Sequence, residues 1–285
     1  MGIGQKRLLI LALAIGFVFT AGCAGSDDPS GGGASMKIAF LHHSTGHVVW
    51  MGTTSKIGAK VFGKSAVGSW ISDYNKKKGT SYEIEELNFP TTSQGYPWAN
   101  YPYDYYTIWV RNAGAAPYQG EPTLEMLTKK YDVIALKHCF PVGNILPDTG
   151  AANVDSAEKT LENYKLQYAA LKEKMHSFPD TKFIVWTGAA LTEANTTPEE
   201  AQRTRQFFDW VKAEWDEPGD NIFLWDFYAL ETEGGPYLKP EYATAPDDPH
   251  PTAEFGQRVA PLFAQRIVDV INGKGDTRPL TGEAD

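Results

Sequence analysis

The sequence predicts a three-layer α/β/α sandwich around a five-stranded parallel sheet. Five short runs are mostly apolar on both alternating faces, as strands that lie under helices on both sides should be. Stretches with helical spacing separate these runs, and strands that alternate with helices form parallel sheets with right-handed crossovers. The five runs span residues 37–41, 82–89, 132–140, 182–191 and 221–230.

The helices are predicted from the spacing of their apolar residues and from their end signals. At one helix start, Thr197 is a suitable cap, Pro198 fits the first turn, and Glu199 is favourable to the helix dipole. The last helix follows Pro251 and ends at the Asn-Gly pair 272–273. The predicted helices span 67–77, 123–130, 157–177, 197–215 and 252–271.

One connection, residues 90–120, is longer than such a layout needs. Long connections without regular structure of their own are usually functional or disordered, and this one is too aromatic for disorder. Packing is the commoner role for such side chains; a wall that binds a sugar or an acyl chain is the alternative. The aromatic residues are Tyr96, Trp98, Tyr101, Tyr103, Tyr105, Tyr106 and Trp109.

The N-terminal segment has the features of an export signal. Lys6 and Arg7 precede a short apolar run, and small residues then lead to Cys23. This cysteine resembles that of a bacterial lipobox, so residues 1–22 are expected to be a lipoprotein signal peptide. We expect Cys23 to be lipidated and residues 23–36 to form a flexible tether to a membrane of the bacterial cell envelope. Ordinary secretion is the alternative.

The remaining chain is long enough for one large domain, expected at residues 37–272, with a loose C-terminal tail at 273–285. Without Lys6 and Arg7, 24 basic and 35 acidic side chains remain, so the net charge is near −11. With no basic run, nucleic acid is not an expected partner. No cofactor is indicated. The second cysteine, Cys139, lies in an apolar run and is expected to be a small buried side chain.

Two segments carry residues suited to nucleophilic catalysis. Ser44 follows the first apolar run directly, and Asp247 and His250 stand three residues apart just before the last helix. A serine hydroxyl becomes an effective nucleophile when a base takes its proton and a third group orients that base. Ligands of open parallel sheets bind beyond the carboxyl ends of the strands, where both segments are expected. Ser44, His250 and Asp247 are therefore the candidate nucleophile, base and orienting carboxylate.

The segments IAFLHHSTG, YDYYTIWVRNAG, DVIALKHCFP and DDPHP resemble the SGNH (GDSL-type) hydrolases, and in particular a bacterial branch in which H-H-S replaces G-D-S. The resemblance implies a flavodoxin-like sandwich, a serine esterase activity and the same three roles for Ser44, His250 and Asp247. It favours a small-molecule or carbohydrate ester as substrate, with an acetyl ester preferred.

The resemblance also implies donors that bind the oxyanion of the reaction. These are the amide of the serine, a glycine after the second strand, for which Gly95 is the candidate, and an asparagine after the third strand. The usual G-x-N-D is missing there. Asn144 is the nominal replacement, with His138 and Lys137 as competitors.

Simpler interpretations of the same residues stay open. Ser44 could cap a helix, as could Asp247 and the neighbouring Asp248. A non-catalytic ligand-binding lipoprotein on the same fold is one alternative function. A metal-dependent hydrolase is another, because zinc binds histidine and carboxylate. No compact ligand motif supports a metal, however. The histidines concerned are His42, His43, His47 and His138, together with His250.

Overall fold

The computed structural model describes residue 1 and residues 35–52, 65–91, 95–97 and 99–284. The chain divides into two units, residues 1–31 and 32–285, and only the second is described in detail. The expected signal peptide, Cys23, most of the tether and Trp98 therefore lie outside the described residues. Among the residues that are described, no helix combines the length and the apolar character needed to cross a membrane.

The second unit is built on a sheet of five parallel strands, which confirms the predicted fold class. The spatial order is β2-β1-β3-β4-β5, the order of flavodoxin-like folds. The strands are β1 (Ser35–His42), β2 (Ser81–Asn88), β3 (Val133–Leu136), β4 (Lys182–Trp186) and β5 (Ile222–Trp225). β3 and β5 are buried throughout, and β4 is buried from Phe183 onward, as their continuous apolar sequences predicted.

Helices cover both faces of the sheet. In chain order they are α1 (Thr45–Met51), α2 (Ala66–Lys78), α3 (Pro102–Tyr106), α4 (Leu124–Leu127), α5 (Leu161–His176), α6 (Pro198–Trp210), α7 (Phe227–Thr232) and α8 (Ala253–Ile271). Turns of π-helix at Thr107–Arg111 and Val211–Trp215 extend α3 and α6. The predicted cap of α6 is confirmed: Thr197 and Glu200 form a reciprocal capping box.

Three predicted strands are too long, and one of them, β4, ends at Trp186 and not at residue 191. β3 ends at Leu136, and a 3₁₀ turn occupies Phe140–Gly143. β5 ends at Trp225, and the apolar residues after it form α7, whose first turn is capped by Asp226. The residues that follow these strands are apolar because they are buried at the carboxyl ends of the strands. Apolar character alone does not distinguish them from strand residues.

The C-terminal segment is not loose. The side chain of Arg266 donates to the carbonyl of Gly275, and Trp225 Nε1 donates to the carbonyl of Thr281. The amide of Asp226 donates to the carbonyl of Leu280. The tail therefore supplies acceptors for buried donors on α8, at the end of β5 and just after it, which its polar sequence did not indicate.

Two helices that flank the serine and histidine segments pack unusually closely. α1 begins immediately after Ser44, and α8 begins just after His250. A Cβ placed on Gly256 of α8 would lie 2.6 Å from the carbonyl oxygen of Val48 on α1. Glycine is therefore required where α8 meets the backbone of α1, and this contact fixes how near the two segments lie.

Gly256→Ala should lower the free energy of unfolding by about 1–3 kcal/mol, as overpacking of a rigid contact does. The direction is informative because alanine otherwise favours a helix interior over glycine by roughly 1 kcal/mol. Denaturant unfolding of Gly256→Ala and of Gln257→Ala, the exposed neighbour on α8, measures the effect. A Gly256→Ala protein more stable than the wild type would show that the contact imposes no constraint.

Candidate active site

Ser44 lies on a sharp turn between β1 and α1. Its backbone has φ +24° and ψ −81°, a region that residues other than glycine rarely occupy. Ser44 is exposed. Gly46 permits the turn, because a Cβ there would lie 2.5 Å from the Cβ of His42. Backbone strain of this kind is often found where a functional side chain is held in position.

The capping interpretation of Ser44 does not agree with the structure. Ser44 occupies the cap position of α1, but its hydroxyl makes no capping hydrogen bond. Instead Ser44 Oγ lies 3.2 Å from the Sγ of Cys139, just beyond the end of β3. In the described part of the chain, no hydrogen bond uses the amide of Ser44, so this N–H is available to a ligand.

His250 lies in a small hairpin formed by β6 (Ala243–Ala245) and β7 (Asp248–Pro251). Its Nδ1 is 2.6 Å from Oδ1 of Asp248, which also accepts the amide of His250 at 3.0 Å. These two hydrogen bonds and the charge of the imidazole hold the pKa of Asp248 below its ordinary value. With Nδ1 occupied, Nε2 is the nitrogen left for proton transfer.

The carboxylate on His250 is that of Asp248 and not that of Asp247, which the three-residue spacing had indicated. Asp247 lies in the turn between β6 and β7. Residues 248–251, which precede the last helix, form a strand, and alternate residues of a strand project from the same face. Asp248 and His250 therefore meet, and the sequence signal for this pair was D-x-H on a strand.

Cys139 and Phe140 connect the two halves of the site. Cys139 contacts Ser44, and the ring of the next residue, Phe140, meets the ring of His250 edge-on with 5.3 Å between centroids. α1 and β7 are also in contact. Among the described residues no hydrogen bond joins Ser44 to His250. Such contacts often tighten only when substrate binds.

The four further candidates for oxyanion donors lie in different surroundings. Gly95 has φ +94°, with open space around its Cα. Asn144 follows the 3₁₀ turn, and its buried Oδ1 has no partner in the described structure. No contact links either residue to Ser44, so both assignments stay predictions.

The other two candidates are fully buried. The ring of His138 packs edge-on against Tyr105 at 4.6 Å and lies near Tyr168. Burial and the nearby charge of Lys137 lower the pKa of His138 to about 3, so the ring is neutral. Lys137 Nζ donates to the carbonyl of His138 at 2.6 Å. Neither side chain contacts Ser44, and burial explains why they do not reach it.

A carboxylic acid is buried near the same segment. Glu231 on α7 is completely buried, and burial raises its pKa to about 8 although the Ala190 amide and Lys137 oppose the shift. Its Oε2 accepts the Ala190 amide at 2.8 Å. Burial lowers the pKa of Lys137 in turn. Glu231 and Lys137 interact electrostatically with each other, and no pattern in the sequence indicated this cluster.

The aromatic connection does not form a binding wall. Apart from Tyr103 and Tyr118, its described tyrosines and tryptophan are buried, and most of them pack into the core that contains residues of α5 and α6. One of their polar ends binds backbone next to the site: Tyr105 Oη donates to the carbonyl of Lys137 at 2.8 Å. The fully buried Asn100 accepts the amide of Cys139. The connection therefore braces the segment that follows β3.

In the described residues, the histidines near Ser44 do not meet at one site that could hold a metal ion. His42 and His47 both bond to Glu86 on β2, at 3.1 and 3.0 Å, while His43 Nε2 donates to the carbonyl of Pro90. Burial lowers the pKa of His43, so its ring is neutral. Within the described residues, no three histidine, cysteine or acidic side chains are arranged to hold a metal ion.

A cleft adjoins the hairpin that carries His250. Its volume is about 690 Å³, and it lies between the segment after β4 and the residues before β7. Ala243 and Pro246 of the hairpin line one side, and Tyr237, Lys239 and Glu193 contribute an aromatic ring and two charges. An open groove of this size is sufficient for part of a small ligand.

Glu86→Gln should lower stability by about 1 kcal/mol at pH 5, because Glu86 is one-third exposed and its ion pairs are partly screened. Burial alone would raise the pKa of Glu86, but His42 and His47 outweigh it and lower the pKa to about 2. A carboxylate with a lowered pKa stabilises above its unfolded pKa of 4.5, and the effect is lost as the pH falls towards 2. Denaturant unfolding should therefore show a smaller difference at pH 2.5, whereas Glu83→Gln on the same strand should change little at either pH. An equal difference at both pH values would contradict the assignment.

No family model matches the chain, and no curated protein matches it. Two solved structures of family two carbohydrate esterases from Clostridium thermocellum are similar in fold. One, in complex with cellohexaose, is 15% identical, with a TM-score of 0.43, over 83% of this chain and 65% of that chain. The other, an active-site mutant, is 11% identical with a TM-score of 0.40 over 83% and 64%. The chain thus spans just under two thirds of these neighbours, and a likeness this distant assigns no residue or reaction to it.

Proposed function

We propose that this protein is a serine esterase that hydrolyses acyl esters. The observation that carries the proposal is an exposed serine on a strained turn, at the sheet edge where a carboxylate-bound histidine also lies. Helix capping does not explain the strained backbone of Ser44, because its hydroxyl makes no capping hydrogen bond. The hydrogen bond from His250 to Asp248 selects the tautomer that a general base needs.

In the proposed reaction, Ser44 Oγ attacks the ester carbonyl carbon while Nε2 of His250 takes its proton. The tetrahedral intermediate collapses, the alcohol leaves with the proton from His250, and an acyl-serine remains. Water then attacks the acyl-serine and loses a proton to His250. The second tetrahedral intermediate collapses to the free acid, and His250 returns the proton to Ser44 Oγ. Asp248 stabilises the imidazolium that forms in both halves.

The free amide of Ser44 is the first donor that we assign to the oxyanion. It lies at the start of α1, where unpaired N–H groups favour negative charge. Gly95 and Asn144 are kept as the proposed second and third donors. One such donor typically lowers the barrier by roughly 3–4 kcal/mol, so the rate depends strongly on whether they reach the oxyanion.

The substrate that we propose is an acetyl ester on a carbohydrate. The cleft is the proposed site for the alcohol part, because it adjoins the hairpin that carries His250 and offers a tyrosine ring and proline rings for the flat faces of a sugar. We also propose that the enzyme belongs to the H-H-S branch of the SGNH hydrolases and is exported and anchored through Cys23.

Ser44→Ala should abolish ester turnover and also labelling by a serine-directed phosphonate, since both require the hydroxyl at the strained turn. The measurements are hydrolysis of a panel of acetylated sugars and aryl esters, and mass spectrometry of the labelled peptide. Ser65→Ala is the matched control, because its hydroxyl caps α2 and has no proposed role in catalysis.

Turnover by Ser44→Ala at the wild-type rate, or a label on another residue, would end the proposal. A wild-type protein that binds a sugar ester but neither hydrolyses it nor takes the label would instead be a ligand-binding protein. Loss of turnover on adding a chelator would support the metal-dependent alternative.

Asp248→Asn should lower kcat by at least about a thousandfold, because the base loses the charge that fixes its tautomer. Asp247→Asn should change kcat less than about threefold, since Asp247 lies in the exposed turn. Both substitutions conserve shape, and thermal unfolding checks that both proteins fold. The reverse order of effects would assign the orienting role to Asp247, as the family spacing implies.

A further inference from the structure

We propose that Cys139 is a positioning residue for Ser44, with its thiol donating a hydrogen bond to the serine hydroxyl. The proposal rests on the esterase function above and adds a residue to it. Cys139 is 3% exposed, and its Sγ lies 3.2 Å from Ser44 Oγ. This contact is the one hydrogen bond that the hydroxyl of Ser44 makes in the described structure.

The direction of the hydrogen bond follows from the proposed reaction. A hydroxyl has one proton to give and two lone pairs to accept with. If Ser44 accepts from the thiol, its own proton stays free for His250. A donor on the inner side also selects one rotamer of Ser44, so that an exposed side chain does not have to be ordered when the substrate binds.

The backbone around Cys139 is held more firmly than packing requires. Its amide donates to both the side-chain and the main-chain oxygen of Asn100, each at 3.0 Å. Asn100 is fully buried with φ +55°, and its Nδ2 donates to the carbonyl of Phe89 at 2.9 Å. The amide of Asn100 in turn donates to Asp104.

One asparagine therefore binds the chain after β2 and the chain after β3 together. Phe89 also donates its amide to the carbonyl of His42, two residues before Ser44. The thiol and the serine are thus attached to the same rigid assembly, and their separation is set by backbone contacts.

The test compares Cys139→Ala with Cys139→Ser in the full-length chain, using an ester that the wild type hydrolyses. Serine keeps a donor at this position, and alanine removes it. Cys139→Ala should lower kcat about tenfold, with KM within twofold of the wild type, and should slow phosphonate labelling of Ser44 by a similar factor. Cys139→Ser should stay within about threefold of the wild type in both measurements.

Val142→Ala is the matched control for lost packing. Val142 is completely buried in the same segment and has no polar group. It should lower the melting temperature at least as much as Cys139→Ala does while leaving kcat within about threefold of the wild-type value.

Equal kcat for the wild type and Cys139→Ala would overturn the proposal and leave Cys139 as a space-filling residue. A higher kcat for Cys139→Ala would also overturn it, because the thiol would then restrain the nucleophile. Parallel losses of kcat in Cys139→Ala, Cys139→Ser and Val142→Ala would show a general packing effect. Failure of the esterase function is recognised separately, by wild-type turnover in Ser44→Ala.

Discussion

The contact between the backbone of α1 and Gly256 of α8 is the constraint on which the site depends. A parallel sheet brings the ends of its strands to one edge, but it does not set how far apart the loops on that edge lie. Here the serine precedes one helix and the histidine precedes the other. Gly256 has no side chain, so the carbonyl oxygen of Val48 can lie only 2.6 Å from the position that a Cβ would occupy.

The aromatic connection serves the same end from the opposite face of the sheet. Buried polar groups must find partners, so an insert with buried tyrosine, asparagine and aspartate side chains can adopt few arrangements. Asp104 accepts the amides of Ala99 and Asn100, and Tyr96 donates its hydroxyl to the same carboxylate. This order is passed on to the segment after β3 through Asn100 and Tyr105.

The fold could be predicted from the sequence because it depends on apolar periodicity and end signals that are local. The position of Ser44 on a turn could also be predicted, because a turn must follow β1. The carboxylate partner of His250 could not be predicted, because both Asp247 and Asp248 lie close to it in the sequence. The choice between them depends on the backbone of residues 248–250, which is extended. Packing, the commoner role predicted for the aromatic connection, agrees with the structure. The alternative of a binding wall had stayed open because a sequence does not state whether an aromatic ring with a polar end faces solvent or a buried carbonyl. Cys139 gave no signal, because its contact with Ser44 joins residues that are 95 positions apart.

The buried pair Lys137 and Glu231 completes the electrostatic description of the site. A protonated Glu231 is neutral, and with a pKa of about 8 this form predominates at pH 7. Glu231 then places no negative charge on the side of Cys139, the residue that contacts Ser44. Any negative charge that forms at Ser44 during acyl transfer is consequently not opposed from that side. Above pH 8 the ionised Glu231 would oppose it, so the burial of this acid also sets the electrostatic conditions for the chemistry proposed at Ser44.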